Sequence, residues 1–557
     1  MKIYTADFET TTDVSDCRVW AWCTCDIDEI RRLEYGIDIE SFIEWVRKQG
    51  MCKLYFHNLG FDGSFIMDYL LKNGWTWIDH DGKAAPKTFK TLISDMNQLY
   101  TITLYFTARQ SCKIYDSLKI IPLSVKQMAK AYGLDEGKGE LDYEAYREVG
   151  HKLTVEEMDY IRRDVQIVAK VLKEFLDEGL TRMTAGSNAL AQYKKMLGGD
   201  KGFRRMYPIL DETEDAFIRK AYRGGFTYVN PKYQEQLIGE GIVFDVNSLY
   251  PSVMAACDGQ LLPYGKPEWF NGEPKLKFPY SLWVAVVTCQ FSVKENHIPC
   301  IQLKGNWHYN QTEYLERSGI EVTFTVTSVD WELITQQYNL RNVSWFGGFY
   351  FKANDTQFKG YVDKWVEVKN QATIDGNAGK RQIAKLMLNS LYGKFATRIQ
   401  VQSKKPFIYD DVLHFELLEP ETRDPVYLPV GVFITAWARY KTITSAQKVY
   451  DRFIYADTDS LHLVGTDIPE SIEVDDVRLG AWKHESTFTR AKFLRAKCYV
   501  EEINENMVVH VAGMPPNVHS QVDFDNFELG AIYNGKLYQK RVDGGIVLVA
   551  GDMQLRR

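Results

Sequence analysis

The chain has 557 residues, 45% hydrophobic and 25% charged, which excludes wholesale disorder and leaves room for about three or four domains. Its most apolar stretch, Leu428 to Tyr440, contains Arg439 and falls short of the roughly 20 residues a membrane span needs. The net charge of −7 argues against a molecule that is basic throughout, yet Lys and Arg outnumber Asp and Glu nine to four from Lys352 to Arg398 and five to one from Lys483 to Lys497.

The run Lys2 to Asp7 reads as a strand, and no signal peptide is visible. The first 180 residues alternate strand-like runs such as Lys53 to His57 with helical ones such as Ser64 to Leu71, an α/β pattern. The clearest helix runs from Val155 to Leu176. Thr154 and Glu157 supply a capping box, and Met158, Ile161, Val165, Val168, Leu172 and Phe175 recur at spacings of three and four. A glycine turn, Tyr222-Arg-Gly-Gly225, precedes the strand Gly241 to Asp245. From Pro263 to about Trp345 the chain is strand-rich and reads as an inserted module. Helical character returns from Gly360 to Phe395. Residues 397–427 read as a hairpin insertion with a charged tip, and the tail after about 525 as a small β unit punctuated by glycine. The nine cysteines are scattered, without paired zinc spacing, and read as reduced thiols.

Two sets of carboxylates carry the chemistry. Asp7 and Glu9 are i and i+2 on the first strand and project from one face. Their repulsion requires cations, and hard oxygen ligands suit Mg²⁺ or Mn²⁺. Asp62 lies where a strand turns into a helix; Asp164 lies on the capped helix, one turn after Tyr160. Brought together, these groups would hold two ions, one activating water and the other stabilising the leaving 3′ oxygen of a phosphodiester. In the second set, Asp245 ends an apolar strand, while Asp457 and Asp459 sit at the tip of a hairpin within Tyr455-Ala-Asp-Thr-Asp-Ser460. These would form a second two-metal site, for phosphoryl transfer in the synthetic direction. Lys385, Asn389 and Tyr392 form a polar stripe on an otherwise apolar helix, extended one turn back by Arg381. Such a stripe suits a triphosphate, and Tyr392 could stack on a base pair. Lys497 and Tyr499 add a cation and an aromatic to the second basic patch.

In order and spacing these motifs resemble the family B DNA polymerases, and within them the protein-primed polymerases of small Bacillus phages. The resemblance spans essentially the whole chain. It implies a multidomain α/β and α+β fold: a ribonuclease-H-like 3′–5′ exonuclease domain over 1–184 and a right-hand polymerase with two insertions. The palm would occupy 185–257 and 428–525, the fingers 357–396 and the thumb 526–557. The insertion 258–356 would dock a terminal protein, and 397–427 would close a ring round the template for processivity and strand displacement. Asp7, Glu9, Asp62 and Asp164 become exonuclease metal ligands, with Tyr160 orienting the water and Lys138 assisting. Thr10, Asn58, Phe61 and Tyr143 would hold the frayed 3′ end. Asp245 and Asp459 become polymerase metal ligands beside Asp457, and Val246 joins the metal and nucleotide contacts. Tyr250 would exclude a 2′-hydroxyl, Lys385 would contact the triphosphate and Tyr392 the nascent base pair. Tyr222, Gly224 and Gly225 would line the path between sites, and Lys497 and Tyr499 would hold the primer end.

The implied cofactors are two Mg²⁺ or Mn²⁺ per site. The implied partners are template and primer DNA, dNTPs and a terminal protein, in a monomer or a heterodimer with that protein, in the cytoplasm of a bacterial host without membrane attachment. Two other readings are a nuclease with an inactive polymerase module and a catalytically silent DNA-binding or packaging protein.

Overall fold

The molecule, a computed structural model, is described for residues 1–134, 141–143, 145–304 and 309–556. The N-terminal α/β alternation resolves into an eight-stranded sheet. Its order is Leu33–Gly36, Val19–Asp26, Lys2–Thr10, Cys52–Phe56, Ser111–Asp116, Leu99–Tyr105, Thr88–Ile93 and Thr76–Trp77. The three central strands, Lys2–Thr10, Cys52–Phe56 and Ser111–Asp116, run parallel. Strand alternation then sorts the first strand. Tyr4, Ala6 and Phe8 face the helices Ile39–Gln49 and Leu59–Lys72, in a core with Phe42, Val46, Phe65 and Leu70. Thr5 faces the other way, where its hydroxyl donates to the Val165 carbonyl at 2.8 Å and fixes the helix Val155–Asp177 on the sheet. That helix begins with the capping box Thr154–Glu157. Ile161, Val165, Val168, Leu172 and Phe175 are buried as their spacing predicts, while Met158 is only half-buried.

A five-stranded antiparallel sheet forms the centre of the second half: Trp482–Phe488, Gly241–Val246, Ser460–Val464, Phe453–Asp457 and Thr227–Val229. The helix Leu428–Lys448 lies in its core, apolar on nearly every side because it is buried on nearly every side. Among the described residues no helix is long and apolar enough to cross a membrane. A four-stranded sheet, Leu237–Ile238, Arg490–Arg495, Cys498–Ile503 and Asn506–Val511, packs beside the five-stranded one. Leu494, Val500 and Val518 share a further apolar cluster with Tyr533 and Leu555, so the C-terminal β unit is built onto this sheet.

The strand-rich insertion has its own sheet, Leu262–Asn271, Tyr338–Asn354, Leu282–Val293 and Val322–Thr327, with its own core around Val287, Phe291 and Tyr350. Residues 397–427 contain the hairpin Lys404–Tyr409 and Val412–Leu417. Asp410 and Asp411, with φ of 50° and 57°, make its two-residue turn, which matches the strand twist. The last hairpin pairs Ile532–Val542 with Gly545–Gln554.

Both hairpins reach back to the first unit. Leu413, Val542, Ile546 and Val547 are buried in the same core as Phe65 and Leu70. Gly544 and Gly545 fit because they lack side chains: a Cβ on the first would overlap the Cys17 carbonyl, and on the second the Phe65 ring. Lys72 links Asp68 (3.0 Å) to Asp543 of the turn. All nine cysteines are free thiols, and seven are buried.

Candidate active sites

The first acidic cluster gathers around the end of the strand Lys2–Thr10, between the helices Leu59–Lys72 and Val155–Asp177. Asp7 and Glu9 project from the strand Lys2–Thr10, and Asp62 from the first turn of Leu59–Lys72. The entry to that helix is set by Asn58, left-handed at φ 75°. It is held by Asp116, whose carboxylate accepts from the Asn58 and Leu118 N–H groups, both at 3.0 Å. Burial, then Asp62, Glu9 and Asp164, push the Asp7 carboxyl well above its usual range. Burial pushes Asp62 up to about 7, against the N–H groups of Phe8 and Asp62 itself, which draw it down. The hydroxyls of Tyr143 and Tyr160 are hydrogen-bonded to each other, with rings edge-on at 6.3 Å. Burial raises both phenols, and Glu9 and Asp164 raise them further. Four acids and two tyrosines therefore face one another.

Thr10 sits half-buried at the strand end, after a bulge at Glu9/Thr10. Phe61 is half-buried against Phe65, 5.7 Å away. Lys138 lies outside the described residues. Beside Asn58 a cleft of about 820 Å³ opens between His57, Lys119 and Ser124 on one side and Thr184–Gly186, Leu386 and Ser390 on the other.

The second cluster lies at the end of the five-stranded sheet. Asp245 stands opposite Ser460 on the neighbouring strand. The Val246 N–H donates to the Asp459 carbonyl at 2.8 Å and draws the hairpin tip against the strand. The Val246 side chain is buried, so this residue can offer the site only its backbone. Burial, then Asp459 and Glu485, push Asp245 up to about 7, opposed by Lys483 and Lys385. Burial, and secondarily Asp457, raises Asp459. Asp457 itself is held by other groups: Lys497 Nζ at 2.7 Å, the Thr227 hydroxyl at 2.9 Å and the Tyr455 hydroxyl at 3.3 Å.

Arg381, Lys385 and Asn389 are exposed along one side of the helix Ala378–Ser390, which Asn377 caps. The sequence predicts one helix through Tyr392. Instead it is interrupted at Leu391, and a short helix, Tyr392–Phe395, follows. The break turns the Tyr392 ring onto Tyr250, stacked at 4.0 Å and 23°. Tyr222 lies in the same aromatic group. Tyr499 packs against Phe493 (4.9 Å) and Tyr455 (5.0 Å). Gly225 lies against the Asp457–Asp459 hairpin, where a Cβ would overlap the Thr458 side chain, whereas one on Gly224 would meet nothing.

Several contributors escaped the sequence reading. Lys369, on the helix Lys359–Ile374, faces Arg381, Lys385 and Lys483, and burial together with these three cations lowers its pKa. Arg439 donates to the carbonyls of Arg223 and Gly224 (both 2.8 Å) and forms a bidentate pair with Asp330 of the insertion. A lone arginine inside an apolar helix was its only sequence signal. Asp116 and Lys483 had none beyond their charge.

This pair of units is the fold of a type B DNA polymerase. The chain belongs to the family of DNA polymerase type B, organellar and viral, whose model matches residues 44–154 and 146–476. Within that family it is 45% identical to the DNA polymerases of Bacillus phages Nf and phi29, over 98% of this chain and 98% of each of theirs. It is 32% identical to the DNA polymerase of Streptococcus phage Cp-1, over 99% of this chain and 98% of the other. Its structure matches phi29 DNA polymerase complexed with primer-template DNA and incoming nucleotide, with a TM-score of 0.93, 44% identity and full coverage of both chains. The match to phi29 DNA polymerase with single-stranded DNA has a TM-score of 0.92 at 43% identity, again with full coverage of both chains. These matches bear out the expected fold class, an exonuclease domain joined to a right-hand polymerase.

Proposed function

We propose that the chain replicates DNA from a protein primer, processively and with strand displacement, and proofreads through a separate 3′–5′ exonuclease site. The observation that carries this reading is the pair of partly buried carboxylate clusters, in each of which burial first and the neighbouring acids second raise the pKa of a member. Buried like charges of this kind call for bound cations, and all-oxygen donors suit Mg²⁺ or Mn²⁺. Among the described residues no three His, Cys, Asp or Glu side chains converge so as to hold an ion by themselves. The residues fit ions whose remaining ligands come from phosphate, backbone and water, as expected of Mg²⁺ beside nucleotides.

Asp245 and Asp459, with the Val246 backbone, would hold the polymerase ions, and Asp7, Glu9, Asp62 and Asp164 those of the exonuclease. Bound there, two ions would neutralise charge on the attacking and leaving oxygens. The chain's own residues would do the rest. Lys369, Arg381, Lys385 and Lys483 would bind the triphosphate of a dNTP. Tyr250 would lie under its sugar and Tyr392 against the nascent pair. Lys497 and Tyr499 would hold the primer end, with Asp457 orienting the Lys497 ammonium. At the other site, the linked Tyr143 and Tyr160 hydroxyls would orient water against the scissile phosphate, and Thr10, Asn58 and Phe61 would seat the frayed strand. The folded insertion 258–356 would receive a terminal protein, whose hydroxyl accepts the first nucleotide.

The test is separation of the two activities. Asp459→Asn should cut primer extension by about a thousandfold or more and spare digestion of single-stranded DNA. Asp7→Ala with Glu9→Ala should do the reverse. Loss of both activities in either folded variant would refute two independent sites. Initiation with and without a cognate terminal protein tests the priming.

A further inference from the structure

Beneath the catalytic hairpin lies a polar pair that the proposed chemistry leaves unused. His462 and Glu501 are each only 2% exposed, and the His462 Nδ1–H donates to Glu501 Oε1 at 2.8 Å. His462 belongs to the strand Ser460–Val464 of the five-stranded sheet, which begins directly after Asp459. Glu501 belongs to the strand Cys498–Ile503 of the adjoining sheet, directly after Lys497. The hydrogen bond therefore crosses from one sheet to the other. The His462 ring is enclosed by Tyr455 (5.2 Å), Tyr499 (5.3 Å) and Phe493 (5.5 Å). At the outer end of the same junction the Tyr455 hydroxyl accepts from the Lys497 N–H at 3.0 Å and lies 3.3 Å from Asp457. Lys497 is left-handed, at φ 56°, where the chain turns into its strand.

A buried pair of ionisable groups is a weak source of stability, since apolar side chains of similar volume often serve as well. What a hydrogen bond adds is a defined register between the elements that carry it. Here one element carries Asp459 and the other carries Lys497 and Tyr499. We infer that His462 and Glu501 are positioning residues of the polymerisation site, locking the Lys497–Tyr499 segment against the Asp457–Asp459 hairpin and thereby holding in place the surface that grips the primer strand. This rests on the proposed reading that Lys497 and Tyr499 hold the primer end.

The decisive variant is the double substitution His462→Phe with Glu501→Leu, which keeps the ring packing and an apolar fill but removes the hydrogen bond. Steady-state extension would be measured for KM of primer-template and kcat, together with digestion of single-stranded DNA and the unfolding midpoint. The expected result is a KM for DNA raised about tenfold, with kcat changed less than about twofold and with stability and digestion unchanged. Glu501→Gln, which retains an acceptor oxygen, should stay close to wild type. Lys497→Ala should raise the same KM, and combining it with the double variant should add little. If Lys497→Ala leaves that KM unchanged, the primer reading fails, and this inference with it. If Lys497→Ala raises it while the folded double variant extends like wild type, the inference alone is overturned. A parallel fall of extension, digestion and stability would likewise overturn it, reducing the pair to a structural role.

Discussion

Tyr250 and Tyr392 stack at 4.0 Å and 23°, although one follows the strand of Asp245 and the other the break that ends the lysine-bearing helix. The stack lies near enough to Asp459 for that carboxylate to raise the Tyr250 phenol, so the paired rings take up space beside the acidic site. Tyr250→Val should open that space to a 2′-hydroxyl. The preference for dNTP over rNTP, read as a ratio of kcat/KM values, should fall about 10- to 100-fold. An unchanged ratio would mean another side chain guards the sugar.

Asp62 gives a prediction about metal and pH. Its folded pKa of about 7 lies above the ordinary 3.8, so the folded protein retains a proton that the unfolded chain releases. Metal-free protein should therefore lose stability to this residue as pH rises from about 4 to about 7. In EDTA, the unfolding midpoint of Asp62→Asn should match wild type near pH 4 and exceed it by a few degrees at pH 8. Added Mg²⁺ should raise the wild-type midpoint more than that of the variant. Equal responses would remove Asp62 from the metal site.

Gly225 is required for close approach. Its missing Cβ is the space taken by the Thr458 side chain, while the Thr458 N–H donates to the Phe226 carbonyl at 2.6 Å. Gly225→Ala should push the hairpin tip and slow extension by about tenfold or more, leaving digestion of single strands intact. Adding Thr458→Ala should restore part of the loss, a coupling that a double-mutant cycle measures.

The hairpin within 397–427 bridges to the first unit through Asp95 N–H to the Gln402 carbonyl (3.0 Å), Lys404 to Asn97 (2.7 Å) and buried Leu413. Deleting residues 397–427 should leave single-nucleotide addition intact. Product length per binding event should drop about tenfold or more as the tether is lost, and strand displacement should disappear. A deletion variant that still copies long duplex templates unaided would leave the basic patches as the source of grip.

What could be read from the sequence was local. The capping box at Thr154, the charged tip of the 397–427 hairpin and the strand that carries Asp245 each depend on neighbours within a few positions, and all three appear in the fold. The acidic residues were legible as types with a face or a turn to sit on. Their convergence rested on family resemblance, since no periodicity joins Asp7 to Asp164. The break at Leu391 was missed because Lys385, Asn389 and Tyr392 keep helical spacing across it. Lys369, Arg439 and the His462–Glu501 pair were invisible for a related reason: each acquires its meaning from a partner on another element, and a charge by itself looks like any solvated charge.

The seating of Gly544 and Gly545 against Cys17 and Phe65 also bears on the order of assembly. Phe65 and Leu70 share their core with Val542, Ile546 and Val547, which are synthesised almost a whole chain later. During translation the N-terminal unit can form its sheet and lay the helix Val155–Asp177 across it, but one face of the helix Leu59–Lys72 must wait. Until the last hairpin has left the ribosome, that apolar face stays open to solvent or to chaperones, and the unit that begins folding first is among the last to be completed.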